Sequence, residues 1–257
     1  MDVRVAYLAA SMAVLAGVAA CAFNPYSEPR AAWRDDAEAA CLAGGVRPST
    51  FVQPMPPLGG RGSCGLEHPF KVSAALNGSV AVEPPATLDC PMTAAIDRWV
   101  RDTVQPAAQA YFRSRVVALR QIASYSCRTR DNIDGAKLSE HAFGNALDVA
   151  GFRLADGREI GVAQGWWRGA PPERAFLQQV FAGACAEFYT LLGPGSDGFH
   201  ANHFHLDLLR GNAGGERHYC RPQPASQPYG RMPMAGLAAD SVGTVAKTPP
   251  SFVDKAP

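Results

Sequence analysis

Two short segments of the sequence, residues 139–148 and 200–207, concentrate side chains that can bind a metal ion. They contain an aspartate, Asp148, and four of the chain's six histidines: His141, His200, His203 and His205. A catalytic zinc site uses three protein ligands, often histidine nitrogen and carboxylate oxygen, together with a water molecule. The two segments are therefore candidates for a zinc centre.

The spacing of His141 and Asp148 predicts that the chain reverses between them. On one continuous helix they would be about 10.5 Å apart along the axis, whereas two ligand atoms on one zinc ion lie roughly 3.3–3.5 Å apart. Gly144-Asn145 offers the turn. His203 and His205 are two residues apart on a predicted strand and therefore share a face. From the residues alone, either of them could be the third ligand.

The first segment matches the pattern Ser-x-His-x-x-Gly-x-Ala-x-Asp at every fixed position, and the second supplies a His-x-His pair. Together they resemble the zinc peptidase superfamily that contains D-Ala-D-Ala carboxypeptidases, lysostaphin-type endopeptidases and the hedgehog signalling domain. Within it, the cysteine pattern and residues 124–128 and 141–148 resemble the bacterial extensin-like C-terminal domain. The likeness extends from about Trp33 to Cys220.

The resemblance implies a role for each of six side chains. Three would ligate Zn²⁺: His141, Asp148 and His205. Three would assist from beside the metal: His203 in proton transfer or transition-state stabilisation, Ser139 by a hydrogen bond to the substrate backbone, and Arg128 by facing the scissile carbonyl.

One feature departs from the carboxypeptidase relatives, which carry a Glu or Asp three residues before their last zinc histidine as general base. Here that position is Asn202 or His200, depending on whether His205 or His203 is the last ligand. Neither is a carboxylate, so the endopeptidase branch, with histidine in that role, is the better match. The identity of the general base stays open.

Residues around the motifs receive simpler interpretations. Glu140 is expected to be a solvated neighbour of the site. Asp207 is expected to pair with Arg210 or to orient a ligand imidazole from behind. Trp166 and Trp167 could line a substrate groove or pack in the core.

Hydrophobic periodicity and turn residues predict the elements that would position the motifs. Helices are expected over residues 31–40, from Pro91 with Asp89 or Cys90 as cap, and over 172–184. Strands are expected over 115–125, 145–154, 158–162, 187–192 and 202–209, with ordered loop over 43–70. Because no run of βαβ crossovers appears, the fold class is α+β, a mainly antiparallel sheet with flanking helices. The resemblance implies a hedgehog and D-Ala-D-Ala peptidase-like form.

The N-terminal segment indicates export. Residues 1–20 have the length and small-residue ending of a signal peptide, and Val18 to Cys21 resembles a bacterial lipobox, which implies lipidation of Cys21. An ordinary signal peptide with an incidental cysteine is the alternative. We expect a tether over 21–32, the extensin-like domain over 33–221 and a disordered Pro/Ala-rich tail over 222–257.

The other six cysteines form an even set without a CxxC pair, which is typical of disulfides in an oxidising compartment. Pairing in sequence order is the simplest of the 15 possible arrangements. It predicts the bridges Cys41–Cys64, Cys90–Cys127 and Cys185–Cys220.

The net charge of +1 supplies no field for nucleic acid or an anionic membrane surface. Together with the export signal, the resemblance implies a periplasmic, lipid-anchored, monomeric zinc peptidase that acts on peptidoglycan stem peptides or cross-links. The alternatives are a non-catalytic zinc-containing lipoprotein that binds the cell wall, and a passive envelope lipoprotein.

Overall fold

The structure is a computed structural model that describes residues 24–210 and 218–223. The predicted signal peptide, Cys21, the start of the tether and all but the first two residues of the predicted tail lie outside these ranges. Within them, no helix combines the length and apolar character needed to cross a membrane.

Five α-helices occur in the described residues, and the second of them begins at a side-chain cap. Asp89 accepts a hydrogen bond from the backbone N–H of Met92, and Pro91 occupies the first turn of the second helix. That helix continues through a π-helical segment, Val100–Val104, into the third. The helices are α1 (Ala32–Gly44), α2 (Cys90–Trp99), α3 (Gln105–Phe112), α4 (Val162–Arg168) and α5 (Pro171–Glu187).

Nine strands form one mixed, mostly antiparallel sheet, which confirms the α+β class. Its order is β1-β4-β5-β6-β7-β10-β9-β11, with β8 beside β7, and the pairs β5–β6 and β9–β11 are parallel. β2 and β3 form a separate ribbon. The strands are β1 (Val52–Pro54), β2 (Leu58–Gly59), β3 (Gly65–Leu66), β4 (Phe70–Ala75), β5 (Val80–Leu88), β6 (Val116–Ala123), β7 (Ala146–Leu154), β8 (Glu159–Gly161), β9 (Thr190–Leu192), β10 (Phe204–Asp207) and β11 (Tyr219–Arg221).

Side-chain alternation separates the core from the motif residues. On β7, Leu147 and Val149 belong to the hydrophobic core, as do Phe204 and Leu206 on β10. Because neighbouring residues of a strand face opposite sides, Asp148 and His205 project from the other face of the sheet. The core therefore fixes the two central strands while their intervening polar residues stay free for chemistry.

The disulfides pair as Cys41–Cys90, Cys64–Cys127 and Cys185–Cys220. The third bridge confirms the sequence prediction, whereas Cys41–Cys64 and Cys90–Cys127 are wrong. The reason is tertiary: α1 packs on α2, which brings Cys41 to the first residue of α2. Cys64 instead meets the segment that follows β6.

The interval predicted as loop, residues 43–70, contains the short strands β1, β2 and β3. The β4–β5 hairpin and α4 were not predicted at all. Glu83-Pro84-Pro85 lies inside β5, and proline argues against a central strand because it cannot donate to the ladder. β5 nevertheless pairs on both sides, in segments that avoid most of this stretch.

Candidate metal centre

His141, Asp148 and His205 form the one group of three or more potential metal ligands in the described residues. The Oδ1 atom of Asp148 lies 3.2 Å from Nε2 of His141 and 2.9 Å from Nδ1 of His205. The two histidine nitrogens are 3.2 Å apart. These separations are close to those between two ligand atoms on one zinc ion.

The local fold brings these three residues together as a reversal of the chain. Ser139 caps a 3-10 turn, Glu140–Phe143, which carries His141. Gly144 ends the turn with a φ of 65°, and a Cβ there would lie 2.2 Å from a Leu66 methyl group. The chain then returns as β7, where Asp148 pairs in register with His205 of β10. The predicted turn at Gly144-Asn145 is confirmed.

Each histidine of this group is held from behind by an acceptor. Nδ1 of His141 lies 2.6 Å from the carbonyl oxygen of Ser124, and Nε2 of His205 lies 2.9 Å from a carboxylate oxygen of Asp207. Carbonyl and ionised carboxylate oxygens only accept, so these nitrogens carry the protons. The remaining nitrogens therefore direct lone pairs at the Asp148 carboxylate.

Three facing lone pairs require a positive charge between them, so the donor set fits a bound cation. In a metal-free site a proton meets this need. Burial opposes a charge on His205, but hydrogen bonds to Asp148 and Asp207 outweigh it and raise the pKa of His205 to about 10. Burial likewise opposes ionisation of Asp148, yet hydrogen bonds from His141 and His205 hold its pKa well below the usual range.

His203 and His200 lie beside this group without joining it. Nε2 of His203 is 3.6 Å from Asp148 Oδ1, and its Nδ1 is 2.8 Å from the side-chain oxygen of Asn202. Burial lowers the pKa of His203, which favours the neutral ring. The ring centroid of His200 is 5.3 Å from that of His203 and 5.6 Å from that of His205. Of the His203–His205 pair, geometry thus groups His205 with the other two donors.

A cleft of about 570 Å³ opens over the group. Both other predicted assisting residues line it: Arg128 and Ser139. The Ser139 hydroxyl accepts the backbone N–H of His141 at 3.4 Å, while Arg128 is half-buried and donates to the Thr129 carbonyl at 3.3 Å. Aromatic side chains also line the cleft, among them Phe199, which is 57% exposed. The cleft therefore combines apolar surface with polar groups above the donors.

Glu140 is not solvated, contrary to the sequence interpretation. It is 3% exposed and forms a bidentate ion pair with Arg34 of α1, with N–O distances of 2.6 and 2.7 Å. The side-chain amide of Asn145 donates to the same carboxylate at 2.6 Å. The network connects α1 to both ends of the turn that carries His141. Arg34 and Glu140 are 106 residues apart in the chain, so no local sequence pattern could have revealed their pairing.

Asp207 follows the second of its two predicted roles, because it contacts His205 and not Arg210, which lies over the Trp33 ring. Trp166 packs in the core, whereas Trp167 is 64% exposed, and neither is among the residues that line the cleft. Sequence reasoning missed the Ser124 carbonyl and Asp197, the carboxylate beside His200. Only the Asp197–His200 spacing of three residues was a local signal.

Comparison with known proteins gives one match. The family model of the extensin-like protein C-terminus matches residues 39–221, well over half of the chain and including every donor of the candidate centre. Neither the curated proteins nor the solved structures contain a match. The chain belongs to the extensin-like protein C-terminus family.

Proposed function

We propose that this protein is a zinc-dependent peptidase that hydrolyses amide bonds of peptidoglycan stem peptides or cross-links. One observation carries the proposal: two imidazole lone pairs and a carboxylate converge within 3.2 Å of one another at a cleft. Three protein ligands beneath an accessible cleft are typical of catalytic zinc sites, whereas structural sites use four. The resemblance to zinc peptidases supports the amide bond as the target.

His141, Asp148 and His205 would hold the zinc ion, which lowers the pKa of a bound water towards 7 and polarises a carbonyl. Ser124 and Asp207 fix the two rings so that the correct nitrogens face inward. The neutral ring of His203 directs Nε2 towards this group, where it can accept a proton and relay it to the leaving amine.

Arg128 and Ser139 act on the substrate in this proposal. The Arg128 guanidinium forms no ion pair with any residue in the described ranges, so its donors remain available to a substrate carbonyl. Ser139 lies at the start of the motif turn, where its hydroxyl can reach the peptide backbone in the cleft.

The proposed setting is the periplasm, with the chain attached to a membrane through a lipid on Cys21. The three disulfides agree with an oxidising compartment. Intact-mass measurement of membrane-extracted protein is expected to find a lipidated chain that begins at Cys21. A chain that retains Met1 without lipid would contradict this part of the proposal.

The decisive experiment incubates zinc-loaded protein with purified muropeptides and identifies products by mass spectrometry. We expect hydrolysis that stops after metal chelation and is absent in His141→Ala. Asp36→Asn, which changes an exposed residue of α1, is the matched control and should be fully active. Tight muropeptide binding with no product at any metal loading would reject the peptidase and favour the non-catalytic cell-wall-binding alternative.

A further inference from the structure

The loop between β9 and β10 carries a carboxylate–imidazole pair that the proposed chemistry does not use. Oδ1 of Asp197 accepts hydrogen bonds from Nδ1 of His200 at 2.7 Å, from the backbone N–H of Phe199 at 2.8 Å and from that of His200 at 3.0 Å. The Asp197 carboxylate also lies 3.4 Å from the Ser196 hydroxyl. Asp197 therefore fixes both the loop backbone and the His200 ring.

The hydrogen bond to Asp197 determines which ring nitrogen of His200 is a donor and which is an acceptor. An ionised carboxylate only accepts, so Nδ1 of His200 donates to Asp197, and when the ring carries a single proton its Nε2 is an acceptor. His200 lines the cleft, and no side chain or backbone group of residues 24–210 and 218–223 forms a hydrogen bond with its Nε2. A buried ring, 7% exposed, thus offers an unused acceptor at the cleft.

Three carboxylates that line the cleft are already engaged. Glu140 is bound by Arg34 and Asn145, and Asp207 accepts from His205 and from the Leu209 backbone N–H. Asp148 belongs to the metal centre. A peptide backbone carries one N–H donor as well as one C=O acceptor per residue, so a site that holds it needs acceptors too. Arg128 supplies only donors.

We propose that His200 is a specificity-determining residue whose Nε2 accepts a hydrogen bond from a backbone amide N–H of the bound peptide, and that Asp197 positions it. This rests on the proposed function for the class of ligand, a peptide, but not on hydrolysis. The proposed role is substrate recognition. Asp197 holds the His200 proton on Nδ1, and the substrate amide N–H donates to Nε2.

The test measures muropeptide binding to metal-depleted protein by calorimetry, so that no turnover is required. His200→Ala is expected to weaken binding about 5- to 150-fold, the range for leaving one buried donor unpaired. His200→Gln, whose amide oxygen can occupy the position of Nε2, should recover most of that loss. Asp197→Ala removes the Oδ1 acceptor that selects the Nδ1-protonated ring and should weaken binding similarly.

Asp156→Ala is the matched control for Asp197→Ala. Asp156 has 39% side-chain exposure against 40% for Asp197, and it also accepts a backbone N–H from two residues further along the chain. It lies in the β7–β8 turn and is not among the cleft residues. Its substitution should leave muropeptide affinity unchanged.

Two further measurements test the proposed hydrogen bond between a peptide N–H and Nε2 of His200. Nitrogen-15 NMR of wild-type protein should show His200 protonated at Nδ1, and Asp197→Ala should lose this preference. Stem peptides N-methylated at one amide at a time should include one whose binding penalty disappears in His200→Ala. A wild-type ring protonated at Nε2, unchanged affinity in His200→Ala, or no such N-methyl position would overturn the inference. Normal peptide recognition without hydrolysis would remove the proposed function alone.

Discussion

The four histidines in and beneath the cleft are held in two different ways. His141 and His205 are oriented by Ser124 and Asp207 and by the β7–β10 ladder, so their placement depends on segments 64 residues apart in the chain. His200 and His203 are held by side chains three residues and one residue away, Asp197 and Asn202. The inner pair is therefore a product of the whole fold, whereas the outer pair is set by its own loop.

The largest expected effect separates the two pairs. His205→Ala and Asp148→Ala should lose bound zinc and all activity, because each removes one of three protein ligands. His203→Ala should retain about one zinc per chain and lose roughly 10²–10⁴-fold in rate, the range for a positioned acid–base group. Elemental analysis and turnover on muropeptides measure both quantities.

The outcome that breaks the comparison is equally clear. If His203→Ala empties the site while His205→Ala keeps its metal, the two roles are exchanged. If both variants keep metal and full activity, this segment is structural and the proposed mechanism is wrong.

A smaller effect tests how the inner pair is oriented. Asp207→Asn keeps an acceptor for the Leu209 N–H but removes the charge that holds the His205 proton. We expect zinc affinity to fall about 10- to 100-fold, as is usual for partners behind a ligand. Competition with a chelator of known affinity measures the change. An affinity equal to that of Asp36→Asn would show that Asp207 is dispensable.

Asp89, which contacts the end of the turn that carries His141, is expected to make stability depend on pH. The Asp89 backbone N–H donates to the Gly144 carbonyl at 2.9 Å, and burial raises the pKa of the Asp89 carboxyl to about 8. In the unfolded state the Asp89 carboxyl loses its proton near pH 4. The contribution of Asp89 to the free energy of unfolding is therefore full below that pH. It falls as pH rises towards 8 and then stays constant.

Asp89→Asn retains the cap acceptor and does not ionise. Relative to wild type it should gain a few kcal/mol in the free energy of unfolding between pH 5 and pH 8, at about 1.4 kcal/mol per unit of pH. Urea unfolding at both pH values measures this difference. An identical pH dependence in the two proteins would mean that Asp89 titrates normally in the folded state.

The same contrast between local and distant contacts explains what could be predicted. The turn at Gly144 followed from the reach of two side chains to one ion, and α2 followed from its cap, Pro91 and periodic apolar face. Such signals lie within ten residues of the element that they specify. The acceptor behind His205 was also within reach, since Asp207 is two residues away.

What could not be predicted depends on segments that the sequence does not place side by side. The Arg34–Glu140 pair and the Ser124 carbonyl behind His141 join residues 106 and 17 positions apart. Solvation was the reasonable interpretation of Glu140 because charged side chains are seldom buried without a partner. The β4–β5 hairpin was missed because prolines interrupt β5.

The order of the cysteine bridges has a consequence for how the protein is made. The bridges Cys41–Cys90 and Cys64–Cys127 overlap along the chain, because Cys64 lies between Cys41 and its native partner Cys90. In chain order, Cys64 therefore follows Cys41 before the native partner of either cysteine is reached. If the chain is exported from its N-terminus, as proposed, Cys41 meets Cys64 first, and the shorter loop closes more readily. Correct maturation then requires thiol–disulfide exchange through a mixed intermediate. Production without a disulfide isomerase should accumulate chains bridged between Cys41 and Cys64, which peptide mapping would detect, and native pairing in its absence would show that oxidation waits for folding.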